Sequence, residues 1–382
     1  MTQKLKLAIV AALIIKIILA ALFDTADSGA MNLASSLVVQ GEEVYNHPQV
    51  DLSSPPLHLH VLGSLRYISD ALSIPFTFFW KIPAIVADTG IAFFIFRILR
   101  KKYNYSKKKA SSLTIWFVLN PISLYVSGFH GQSEAVWILF SLLSWYALSY
   151  RKKPVLAGLL AAVAVGYKLP AILLLPALTF TPKLLNQKIE FVMSFCFFFV
   201  MTLFPEIVTS RSGLMREVFM YKSAYGLWGI TSLIQKIYQP LHAEIITQNI
   251  AKYLQLIILT SSLLFLTKKY LTKTYDFFVV SLYTIVVFLF FTPGFGIQYL
   301  FWPLPFLVIT NNKLLKHYTF WVTFAFVHTY GISWWIFSKP ITFLQRHFYY
   351  KTKMLYPYDL YFPVWLVLVR MLQTTFQIKP KP

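Results

Sequence analysis

From Leu5 to Leu372 the chain alternates between long apolar runs and short polar clusters. A helix needs about 20 mostly apolar residues to cross the hydrocarbon of a bilayer. The stretches 5–23, 75–97, 110–127, 132–150, 188–208, 251–267, 276–291, 297–310, 318–337 and 358–372 meet or approach that length. The stretch 154–181 is too long for one span and is interrupted at Tyr167-Lys168-Leu169-Pro170. Proline suits the first turn of a new helix and lysine the membrane surface, so two short helices are expected to meet at this break. The pattern predicts an all-α polytopic membrane protein of about 12 transmembrane helices. It forms one domain over 1–382, with both termini on the same side.

Composition agrees. Hydrophobic residues make up 57% of the chain and charged residues 13%, whereas a soluble domain carries about 25% charge. No gap between apolar runs is long enough for a second soluble domain. A secreted enzyme, a DNA-binding protein and a disordered tail protein are excluded. The single cysteine, Cys196, rules out an intrachain disulfide. Lys4 and Lys6 before the run Leu7–Phe23 imitate a signal peptide. With so many apolar runs downstream, the run reads instead as an uncleaved first helix.

The net charge of +21 becomes informative once it is placed on this pattern. The loops RILRKKYNYSKKK (97–109), 151–153, 182–188, 267–273, 311–316 and the carboxyl tail, with Lys4, Lys6 and Arg370, hold 22 Lys and Arg, and the same face carries only two acids, Glu190 and Asp276. The opposite face holds 12 bases and 12 acids. By the positive-inside rule the basic face is cytoplasmic, so the charge reports topology and not nucleic acid. Residues 57–73 carry His58, His60, Arg66 and Asp70; a span there would put 97–109 outside, so they predict an interfacial amphipathic helix. Three outer stretches remain, 24–74, 209–250 and 338–357, and the tip 292–299 faces the same way.

Candidate chemistry gathers on that outer face. Asp24 and Asp27 follow the first helix at a spacing of three, and would face one point if the loop begins helically. Carboxylates at the edge of an apolar wall suit general-base work. The alternative is that Asp24 ends one helix and Asp27 caps the next. His130, Gln132 and Glu134 in FHGQSEA sit at the outer mouth of a helix, where Ser133 and Glu134 also read as an N-cap. Lys168, flanked by ALLAAVAVGY and LPAILLLPAL, is costly unless it meets an anion or snorkels to the surface. Arg211, Arg216 and Lys222 add cations suited to a phosphate. No Walker loop, GxGxxG or HExxH is present.

In serial order the chain carries an acidic first outer loop, SSPPLHLHVLG, KIPAIVADTGIAFFIFRILRK, LNPISLYVSGFHGQSEAVWILFSLLSWY, AGLLAAVAVGYKLPAILLLPAL and PGFGIQYLFWPLPF. This order resembles the GT-C superfamily of integral-membrane glycosyltransferases, in the branch of the GPI-anchor mannosyltransferases and dolichyl-phosphate-sugar transferases. The resemblance implies that Asp27 is the catalytic base and Asp24 a second acid, that Asp88 is structural, and that Lys168 meets the lipid phosphate. Glu134 stands where the branch has Asp, and of Gly296-Ile297-Gln298-Tyr299 only Tyr299 clearly carries over. Implied with it is an inverting transferase of the cell (plasma) membrane. It would move a hexose, mannose favoured, from a polyprenyl-phosphate sugar to a hydroxyl of a glycolipid, glycan or protein at the outer face. Gln298 joins Tyr299 as a candidate substrate contact. The sequence requires no cofactor and leaves a divalent metal open; membrane lipid is an expected partner and nucleic acid is not. The alternative reading is a multi-span transporter or lipid-linked-sugar flippase without catalysis.

Overall fold

The computed structural model describes residues 1–25, 27–48, 50, 53–220, 228–229, 244–272, 276–292, 294–328 and 358–377. Among these residues the protein is helical, with no β-strand. The chain divides into two compact units, Met1–Tyr221 and Lys222–Pro382.

The first unit opens with α1 (Gln3–Leu22), whose first turn is capped by the Thr2 hydroxyl accepting the Leu5 N–H at 3.3 Å. α2 (Asp27–Gln40) and α3 (Pro56–Leu72) then pack on each other. Met31, Ala34 and Leu37 of α2 and Leu59 and Leu62 of α3 form a small apolar core, closed by Trp80 and Leu214. The expected helix at 57–73 is therefore present. Its buried side faces protein, while Tyr67, Ile68 and Leu72 remain exposed.

A short turn, α4 (Phe76–Phe79), leads into α5 (Ile82–Lys101), and α6 (Lys107–Val118) is started by the Ser106 hydroxyl, which accepts the Lys109 N–H. The expected single span at 110–127 is not continuous. It bends by 45° between α6 and α7 (Pro121–His130). The cause is local: Pro121 excludes the α conformation from Asn120, which is extended at φ −66° and ψ 128°. The Asn120 side chain then caps the new helix by accepting the Ile122 N–H. From Leu124 to His130 the turns of α7 are π-helical.

α8 (Glu134–Tyr146) and α9 (Pro154–Tyr167) run next to each other, and α9 packs along α11 (Leu185–Thr209). Gly158 makes that last approach possible, since a Cβ there would lie 2.6 Å from the Phe191 carbonyl oxygen. Hydroxyls bind the helices together: Ser144 donates to Ala157 O at 2.8 Å and Ser194 to Val155 O at 2.7 Å. The break expected in 154–181 is where the sequence placed it. Lys168 is extended, at φ −156° and ψ 121°, and a tight 3-10 segment, Leu169–Leu174, leads into α10 (Leu175–Thr179). After α11 a short helix, α12 (Arg211–Leu214), continues as a π turn to Phe219.

The second unit contains α13 (Glu244–Leu271), α14 (Phe277–Phe291), a 3-10 turn at Ile297–Phe301, α15 (Pro303–Ile309), α16 (Leu315–Phe326) and α17 (Tyr358–Gln377). Asp276 caps α14 by accepting the N–H groups of Phe278 and Val279. The Tyr318 hydroxyl donates to Leu300 O at 2.6 Å, tying α16 to the 3-10 turn. The second half of the stretch 318–337, all of 338–357 and much of 209–250 lie outside the described residues.

Three described helices are long and apolar enough to cross a membrane: Gln3–Leu22, Phe76–Lys101 and Leu185–Thr209; the bent α6–α7 pair would make a fourth. α11 exposes Phe197, Val200, Met201, Phe204 and Val208. A soluble monomer rarely shows so large an apolar surface.

Candidate active site

Three chain breaks in the first unit bring polar side chains together. Asp27 is the first residue of α2, His130 and Gln132 flank the end of α7, and Lys168 occupies the break after α9. Asp27 does not serve merely as a helix cap. His130 Nε2 lies 2.8 Å from Asp27 Oδ2, and since a carboxylate only accepts, that nitrogen carries the proton. The Gln132 amide donates to the same oxygen.

Next to this group, Lys168 Nζ donates to Glu134 Oε1, and the Trp137 indole donates to Glu134 Oε2 at 3.1 Å. The Glu134 carboxylate is fully buried, whereas the Lys168 side chain is 18% exposed. Lys168 thus meets an anion, as its surroundings require. Ser133 makes no side-chain cap, so the N-cap reading of Ser133-Glu134 does not describe this turn.

The Asp27 side chain is 43% exposed. Partial burial pushes its carboxyl upward. The hydrogen bond and charge of His130, the charge of Lys168 and the Gln132 amide together outweigh that, and hold it below the ordinary 3.8. Asp27 is therefore an anion at neutral pH, open to a reactant on one side. His58 lies within the field of Lys168. Burial and the Lys168 charge pull its imidazole down to about 3, so it is neutral. Its Nδ1 lies 2.9 Å from Ser54 Oγ, and its ring meets that of Tyr167 at a tilt of 38°, with centroids 4.7 Å apart. His60 lies exposed, 3.8 Å from Glu206.

Two buried lysines fix the His130 turn. Lys81, fully buried, donates to Phe23 O at 2.6 Å and to Phe129 O at 3.0 Å, joining the end of α1 to the end of α7. Its stem fills the space at Gly131, where φ is +73° and a Cβ would come within 2.2 Å of Lys81 Cγ. Lys16 of α1 packs against Gly128 in the same way, with a Cβ there 2.9 Å from Lys16 Cα. The Lys16 ammonium is paired with Asp88, which also accepts the Ser123 hydroxyl at 2.6 Å. Lys81 and His58 were not among the sequence candidates. Lys81 carried the signal that singled out Lys168, a lysine enclosed by apolar residues next to a proline.

The other candidates separate. Asp24 is exposed, and its Oδ1 accepts the Thr25 N–H at 2.9 Å; it faces Lys81 electrostatically but does not share the partners of Asp27. Arg211 is exposed on α12, while Arg216 donates to Glu217 at 2.6 Å and to Tyr45 O at 3.0 Å. Lys222 lies outside the described residues. Gln298 and Tyr299 belong to the second unit. The Gln298 amide folds back over Gly296, and the Tyr299 ring stands 4.4 Å from that of Trp302.

Among the described residues, no three His, Cys, Asp or Glu side chains converge as a set that could hold a metal ion. The arrangement that does exist is an ionised carboxylate oriented by an imidazole and an amide, beside a lysine–glutamate pair. It can accept a proton from a bound hydroxyl and can attract an anion. No model of a known protein family matches the chain, and no curated protein matches it.

Proposed function

We propose that the protein is an integral-membrane inverting glycosyltransferase of about 12 spans. It takes a hexose, mannose in the first instance, from a polyprenyl-phosphate donor at the outer face of the cell membrane, and both termini are cytoplasmic. The observation that carries the reading is the Asp27 carboxylate, held as an anion by His130 and Gln132 within the field of Lys168.

In the reaction the acceptor hydroxyl oxygen attacks the anomeric carbon as the bond from that carbon to the phosphate oxygen breaks. Asp27 takes the hydroxyl proton, and His130 and Gln132 orient the carboxylate. The lipid phosphate leaves with the bonding electron pair, and Lys168 stabilises the charge that grows on it. A phosphate leaves without a general acid, so one placed base suffices. Glu134 and Trp137 hold Lys168 at the break. The glycolipid, glycan or protein acceptor approaches the exposed side of Asp27.

Purified protein in nanodiscs, given a polyprenyl-phosphate donor with labelled sugar and a glycolipid acceptor, is expected to yield labelled acceptor and free polyprenyl phosphate. Donor that stays intact, and in sealed vesicles changes leaflet, would replace this reading with the transport one.

A further inference from the structure

The second unit carries a half-open cavity remote in kind from this chemistry. Its volume is about 460 Å³, within the roughly 300–1,000 Å³ of small-molecule sites. One wall is apolar, formed by Leu282 and Tyr283 of α14 with Leu314. The lining also carries two cations, Lys313 from the turn between α15 and α16 and Arg370 from α17, and none of the described residues lining the cavity is acidic.

The lining is built rather than incidental. Asn311 adopts the left-handed conformation, φ +48°, which asparagine tolerates. Asn312 Oδ1 accepts the Leu314 N–H at 2.9 Å, closing a turn with Lys313 at its apex. Arg370 and Thr374 lie one helical turn apart on α17, and both line the cavity. An apolar wall with two cations in the lining matches an amphipathic anion. Lys313 and Arg370 also belong to the basic face of the charge pattern, where a bilayer presents its anionic lipids.

We propose that this cavity binds an anionic phospholipid, with its phosphate between Lys313 and Arg370 and the start of its acyl chains along Leu282 and Leu314. The proposal rests on the chain being embedded in a bilayer, and not on sugar transfer.

The test uses the full chain in phosphatidylcholine nanodiscs, with phosphatidylglycerol as the probe and retained lipid read by native mass spectrometry. Phosphatidylglycerol is expected to be retained in preference to phosphatidylcholine. The double variant Lys313→Gln/Arg370→Gln should lose about tenfold or more in affinity, the scale of losing charge-assisted contacts to a phosphate. Leu282→Trp, which fills the apolar half and keeps both cations, should lose it as well. Inorganic phosphate should not displace the lipid. Equal retention by wild type and both variants, equal retention of phosphatidylcholine, or displacement by inorganic phosphate would each overturn the proposal. An inactive transferase that still retains the lipid would leave it standing.

Discussion

Asp27 and Lys168 divide the work of the site by their surroundings. Asp27 is part exposed and hydrogen-bonded, while Lys168 is coupled to a carboxylate with no exposure of its own. Removing the lysine therefore has two effects. On the proposed reading it withdraws a cation from the donor phosphate, and it leaves Glu134 buried without its counter-charge, which costs on the order of 3–5 kcal/mol when one partner of a buried pair is lost. The two effects can be separated. Lys168→Ala is expected to lower both thermal stability and use of the lipid donor. Adding Glu134→Gln should restore most of the stability and leave donor use impaired. If the double variant also recovers the wild-type dependence on donor concentration, Lys168 is structural and the phosphate is held elsewhere.

At the scale of elements, the site is made by interruptions: the start of α2, the π-helical end of α7 and the extended residue 168. Gly131 is the tightest of these. A Cβ there meets the Lys81 stem and a φ of +73°, so Gly131→Ala must move either Lys81 or the segment bearing His130 and Gln132. Turnover should fall at least about tenfold while donor affinity changes little, because misplacing an oriented group acts on the transition state. Unchanged turnover would show that this turn does not position His130. The break at Lys168-Leu169-Pro170 was legible because proline and lysine act locally. The bend at Asn120-Pro121 had the same local cause, yet the apolar run 110–127 concealed it when hydropathy was read alone. Asp27, His130, Gln132, Glu134 and Lys168 were each legible as polar groups at helix ends. Their pairing, and those of Lys16 with Asp88 and Lys81 with Phe23 and Phe129, depend on which helices touch, and no local pattern encodes that.

Over the whole molecule the same separation appears in charge. One face of the apolar pattern carries 22 bases and two acids, and the other carries Asp27, Glu134 and Lys168 among balanced charges. On the proposed topology the basic face is cytoplasmic, and the balanced face leaves the carboxylate of Asp27 to be tuned by its immediate neighbours. The cavity proposed for lipid is lined by two of those 22 bases, Lys313 and Arg370. The account therefore stands on one carboxylate acting as base at the outer surface. Its most direct test is the turnover of Asp27→Asn with a polyprenyl-phosphate sugar donor, measured alongside donor binding. The account predicts a loss of about 10²–10⁴ in kcat, the usual contribution of a general base, with the donor still bound. Turnover near that of the wild type would contradict it.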